Sequence, residues 1–95
     1  MSKMADALEK LRSEISEVDN QILKLVKQRL DYARKIGEIK RKHGLPIVDS
    51  NVEKGVRERA SKWSREFGLN QGFTIKLVNL LIAEAVRVQE NPSKE

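Results

Sequence analysis

The stretch "LEKLRSEISEVDNQILKLVKQRLDYARKIGEIK", residues 8–40, decides the fold. Its seam runs Leu8, Leu11, Ile15, Val18, Ile22, Leu25, Arg29, Tyr32, Ile36, Ile39. The steps alternate between three and four, a heptad pattern sustained over about four to five repeats. Such spacing belongs to a helix with one face buried along its whole length. No proline interrupts it before Pro46, and Gly37 is the one weak helix former, costing about 1 kcal/mol against alanine. Gly44 followed by Leu45-Pro46 is a stop signal. The pattern predicts a single helix from about residue 5 to about residue 43. One position is out of keeping: Arg29 puts a permanent charge on the apolar seam.

Working outward, a second helix is expected from Asp49-Ser50. Ser50-Asn51-Val52-Glu53 reads as a capping box, with Ser50 as the cap and Glu53 reaching back. Its stripe is Val52, Val56, Ala60, Trp63, Phe67, and Gly68 with Leu69 is a left-handed stop. Asn70 caps a third helix with the stripe Ile75, Val78, Ile82, Ala85, Gln89, ended by Asn91-Pro92. No strand, repeat or low-complexity linker is visible. The expected fold is all-α: one very long helix and two shorter ones in a single domain spanning residues 1–95.

The long helix has a consequence for assembly. About 39 residues at about 1.5 Å each span about 58 Å. A compact chain of this length has a radius of gyration of about 12 Å. The helix must project from any globule its own chain can form, and the shorter helices cannot cover its seam. A second copy is the simplest cover, so an intertwined homodimer is expected.

Composition narrows the function. Charged residues are 35% and aromatics 4%, and the net charge is +5. There is no cysteine, and His43 is the only histidine, so a disulfide scaffold, a Cys-ligated zinc site and a His-rich metal cluster are all excluded. "MSKMADALEK" lacks the apolar core of a secretory signal, and no apolar run reaches membrane-spanning length, so a cytoplasmic location is expected. The positive charge alternates with Glu and Asp along the helices, as on a solvated face. A nucleic-acid groove would need a one-sided basic stripe or stacking aromatics.

Three polar residues sit on or beside otherwise apolar stripes. Arg29 is on the first seam. Lys40 follows eleven residues later, about 20° away around the axis and about 16 Å along it. Gln89 lies on the third stripe. Each has a bland reading: a register-fixing buried ion pair for Arg29, a helix-end cation for Lys40, a fraying helix end for Gln89. Together they suggest a dry pocket for a small dianion.

The ordered set "LRSEISEVDNQILKLVKQR", "IGEIK", "GLPIVD" and then Glu53 resembles the all-helical (AroQ) class of chorismate mutases, from about residue 8 to about residue 90. The resemblance implies a homodimer of three-helix chains with shared sites that rearranges chorismate to prephenate in aromatic amino acid biosynthesis. It implies no cofactor and no metal. Arg29 would bind a substrate carboxylate, and Arg12 would do so from the partner chain. Lys40 and Gln89 would donate to the breaking ether oxygen, while Asp49 and Glu53 would sit near the ring hydroxyl. Arg12 and Arg29 are seventeen residues apart, about 25 Å along one helix, so both reach one small molecule only where two chains meet. A pericyclic rearrangement asks for no nucleophile. It asks for a folded substrate and for fixed donors where negative charge grows.

The sequence departs from the family pattern twice. Val52 stands where the family usually has an arginine, and Ala85 where it often has a serine. Arg57, one turn after Glu53, is a candidate to compensate. Val52, the "LDY" after Arg29 and the "RERASKW" around Trp63 resemble the related isochorismate pyruvate lyases, while Asp49 and Glu53 favour the mutase. A non-catalytic module that binds a partner enzyme of the aromatic pathway, and a basic coiled coil that binds nucleic acid, are the readings from other classes. Trp63 is expected to pack on the first helix or on the dimer partner, and His43 to be a helix-end cation at low pH.

Overall fold

The computed structural model describes residues 2–92. It consists of three helices: α1 (Lys3–Lys42), α2 (Ser50–Phe67) and α3 (Gln71–Glu90), and no strand occurs among the described residues. Each start has a side-chain cap for an otherwise orphan N–H. The Ser2 hydroxyl accepts from Ala5 N at 3.0 Å, so α1 begins before the first residue of the heptad. The Asn70 side chain accepts from Phe73 N at 2.8 Å and opens α3. The start of α2 corrects the sequence reading. Asp49 is the cap, accepting from Asn51 N at 3.0 Å and Val52 N at 3.2 Å, and Ser50 is already helical. Both residue types cap well, but a carboxylate accepts two N–H groups at once and also answers the helix dipole. Glu53 is thereby released from the capping box.

The helix ends follow the glycine signals. Gly44 (φ 63°) and Gly68 (φ 69°) are the two positive-φ positions among the described residues. In both, the next residue folds back by a long bond: Leu45 N donates to Lys40 O at 2.8 Å, and Leu69 N to Ser64 O at 2.9 Å. That is the double-bonded glycine stop in which the last carbonyls of the helix are answered by the chain leaving it.

Helix α3 is the middle element, packed on α1 on one side and on α2 on the other. The small core is Ala60, Val78 and Ile82, with Val56 against it. Beside it Ser64 Oγ and Thr74 Oγ1 share a buried hydrogen bond of 2.8 Å, so the polar pair costs little desolvation. Of α1, only Ala33 and Gly37 are buried. The seam from Leu8 to Leu25 lies open along the whole outer half of the helix, Ile15 at 60% and Leu25 at 63% exposure. The molecule measures 62 × 31 × 14 Å, and its radius of gyration is 17.7 Å, against about 12 Å for a compact chain of this length. Trp63 is likewise half exposed, so a single chain does not bury it. No helix among the described residues is long and apolar enough to cross a membrane.

Candidate active site

Where α1 and α2 diverge over α3, they leave a cavity of about 310 Å³. This is close to the lower end of the range for small-molecule sites, about 300–1,000 Å³. Its apolar walls include Ala33, Ile36, Val56, Ile82 and Val86, and its polar groups are Arg29, Tyr32, Lys40, Asp49, Glu53 and Gln89. Five of the six residues expected at the site therefore come together: Arg29, Lys40, Asp49, Glu53 and Gln89. The sixth, Arg12, does not line this cavity. It stands exposed on the open half of α1, with no hydrogen bond or ion pair among the described residues.

Each polar group is held by its own element. Arg29 sits at the inner end of the open seam and donates one bond, Nη1 to the Leu81 carbonyl of α3 at 3.2 Å. A guanidinium has five N–H donors, so most of its capacity remains for a ligand. Lys40 Nζ donates to the Ile47 carbonyl at 2.6 Å. The turn at Gly44 makes this contact, because it brings residues 45–49 back beside the last turn of α1. The same return places Asp49 in the wall, where one carboxylate oxygen caps α2. Glu53 lies one turn into α2, within 3.6 Å of Arg57 Nη2, and Arg57 Nε donates to Asn79 Oδ1 of α3 at 2.8 Å. Arg57 points to Glu53 and Asn79 and does not line the cavity. Val52 and Ala85 themselves both line it.

Gln89 is the most constrained of the set. It is 7% exposed, and its Oε1 is buried without a hydrogen-bond partner among the described residues. A buried amide end left open is costly unless something completes it. Its stem lies against Gly37 of α1, where a Cβ would come within 2.9 Å of Gln89 Cγ. Its backbone carbonyl accepts from Arg41 Nη1 at 2.9 Å. Neither Gly37 nor Arg41 was readable as a site residue. The first looks like a weak helix former and the second like one of a run of helix-end cations. Tyr32 also lines the cavity, and only its place on the seam hinted at this.

Two carboxyls on the helix surfaces are held by neighbouring cations. The hydrogen bond from Lys27 holds the Asp31 carboxyl below its ordinary range, helped by the charges of Lys27 and Arg34 and opposed by desolvation. The hydrogen bond from Arg87 does the same for Glu84. These are exposed helical pairs, worth little to stability.

Fold and cavity together define an all-helical protein whose small apolar pocket carries two fixed cations and a buried amide. Residues 11–90 match the sequence profile of the family described as chorismate mutase type II. The chain belongs to that family, a family of isomerases acting on chorismate. It is similar to a chorismate mutase from Methanocaldococcus jannaschii, 34% identical over 92 residues that make up 97% of this chain and 93% of that one. It is also similar to a 4-amino-4-deoxychorismate mutase from Streptomyces venezuelae, 30% identical over 83 residues, 87% of this chain and 81% of that one. Among solved structures, a conserved hypothetical protein from Pyrococcus furiosus matches with a TM-score of 0.72 at 34% identity, over 94% of this chain and 99% of that one.

Proposed function

We propose that this chain catalyses the Claisen rearrangement of chorismate to prephenate in a site completed by a second copy of itself. The observation that carries the reading is the gathering of Arg29, Lys40, Asp49, Glu53 and Gln89 around one largely apolar cavity; Gln89 is a buried neutral amide there, and its Nε2 is the end that can donate.

The chemistry follows from the residues. Chorismate carries two carboxylates, and the reaction breaks an ether C–O bond while a C–C bond forms elsewhere in the same molecule. Arg29 grips one carboxylate in the bidentate geometry that suits a guanidinium. That holds the reacting ends close, which removes much of the entropic part of the barrier. Lys40 and Gln89 donate to the ether oxygen as negative charge grows on it. In an apolar pocket, fixed donors stabilise that charge more than mobile water does. Glu53, and Asp49 beside it, face the ring hydroxyl. No proton is removed and no covalent intermediate forms.

One chain leaves this inventory incomplete. With Lys40 and Gln89 assigned to the ether oxygen and Val52 at the position of the usual arginine, only Arg29 remains for two carboxylates. Arg12 of a second copy is the natural supply. Its own helix carries the exposed seam from Leu8 to Leu25, which needs a cover of just this length. Pairing two such seams buries apolar surface at about 25 cal/mol per Å². It also brings the outer half of one α1 toward the cavity of the other. The reading is thus of an obligate homodimer with two composite sites.

Incubation with chorismate and identification of the product by NMR tests the activity. Prephenate is expected. Unchanged chorismate, together with release of pyruvate from isochorismate, would replace the mutase by the lyase reading that Val52 suggests. The relative acting on 4-amino-4-deoxychorismate makes that amino analogue the second substrate to compare.

A further inference from the structure

We infer that Arg41 is a positioning residue for Gln89, holding a donor that would otherwise stand on the least ordered turn of its helix. The inference rests on the assignment of Gln89 as a donor to the ether oxygen. Gln89 is the penultimate residue of α3, which ends at Glu90. The last four carbonyls of a helix have no partner within it, and helix ends fray for that reason. A side chain that must hold a growing charge to a fraction of an ångström is badly placed there.

Two contacts offset this. The carbonyl of Arg87 is taken by Asn91, from its backbone N–H at 3.0 Å and its side-chain amide at 3.3 Å. The carbonyl of Gln89 itself is taken from another helix, by Arg41 Nη1 at 2.9 Å. A cationic donor on a helix C-terminus also answers the negative end of the dipole. One turn earlier on α1, Gly37 leaves the space into which the Gln89 stem fits. A Cβ there would sit 2.9 Å from Gln89 Cγ, 3.2 Å from its Cβ and 3.3 Å from Arg41 Nη1. The main chain and the stem of Gln89 are thereby fixed from one face of α1, four residues apart. That face continues to Lys40, the other donor, so both donors are referenced to the same helix turn.

The test combines kinetics on chorismate with NMR of side-chain amides, using Arg41→Met, Arg41→Lys, Gln89→Leu and the double variant. Circular dichroism and thermal melts establish that each is folded. Arg41→Met should lower kcat about 10-fold, as a misplaced donor does, while KM changes little. Arg41→Lys, which keeps one charged donor, should retain most of the rate. On top of Gln89→Leu, Arg41→Met should cost nothing more, because the residue through which it acts is gone. The side-chain amide pair of Gln89, identified by its loss in Gln89→Leu, should broaden or move toward the solvent-exposed amides in Arg41→Met. Equal kinetic losses in both backgrounds would overturn the inference and leave Arg41 a general structural residue. So would an amide signal unchanged by Arg41→Met. The amide signal is readable whether or not the chain turns over chorismate, so failure of the functional reading leaves a different mark from failure of this one.

Discussion

Gly37→Ala is expected to impair catalysis beyond its effect on stability. The added Cβ would meet Gln89 Cγ at 2.9 Å, where ordinary van der Waals contact begins near 3.4 Å. The obstacle is the stem of a side chain and not its free end, so Gln89 must shift as a whole, by about 0.5 Å. Two stability effects oppose each other. Alanine is the better helix former by about 1 kcal/mol, and overpacking a tight contact costs about 1–3 kcal/mol. The net loss is about 0–2 kcal/mol, or up to about 10 °C in Tm for a domain of this size. The rate effect is separate. A displacement of about 1 Å at a reacting group costs about 10²-fold, so about 0.5 Å should lower kcat roughly 10-fold. The assay is initial-rate kinetics on chorismate beside a melting curve, with Gly55→Ala as control. At Gly55 the nearest atom is the far end of the Arg59 side chain, 3.3 Å away, which can swing aside. That control should gain up to about 1 kcal/mol with its rate unchanged. A Gly37→Ala protein more stable than wild type and equally active would refute the close-approach reasoning.

Three other outcomes follow from the same account. Gln89→Glu should keep the fold, lose most activity near about pH 7.5 and recover it as pH falls toward about 5, since a glutamate donates only while protonated. Burial raises the pKa of such a glutamate, while Lys40 and Arg41 lower it, so the rate profile with circular dichroism at each pH fixes the midpoint; a mutant that stays inactive in acid while folded would remove the donor role. Arg29→Ala should lower kcat/KM by about 10²-fold or more with little loss of helix content, measured on chorismate, because the side chain makes a single part-buried bond within the protein. Sedimentation should find a dimer that separates only on unfolding, and a stably folded monomer at micromolar concentration would contradict the cover proposed for the α1 seam.

What was legible in the sequence and what was not divides along physical lines. The three helices rest on local signals: the heptad over residues 8–39, the glycine stops at 44 and 68, and the Asn70 cap. These depend on residues within a turn or two of one another, so spacing alone carries them. Arg29 and Gln89 were visible because each is a polar interruption of an apolar stripe, and Lys40 because it follows Arg29 by eleven residues, on nearly the same side of the helix. The start of α2 was misread by one residue because Asp49 and Ser50 are both good caps, and only the geometry of the returning turn decides between them. Gly37 and Arg41 could not be read at all. Their meaning lies in contacts with Gln89 across 48 residues or more of sequence, and nothing local marks a glycine as a space for a distant side chain. Arg57 shows the converse. Its spacing from Glu53 invited a substrate role, but Asn79 of α3 draws it out of the cavity wall.

On the proposed function, Arg29 breaks the seam of α1 in order to hold a substrate that a second chain helps to bind. Mixed dimers test it most directly. Arg12→Ala and Arg29→Ala proteins, each nearly inactive, are combined in equal amounts, unfolded and refolded together, and assayed on chorismate. Random pairing makes about half the dimers mixed, and each mixed dimer has one site with both arginines intact and one with neither. Activity should recover to about a quarter of wild type, rising with the fraction of mixed dimers. Activity no greater than the mean of the two parents, with exchange verified by mass spectrometry, would contradict the two-chain site.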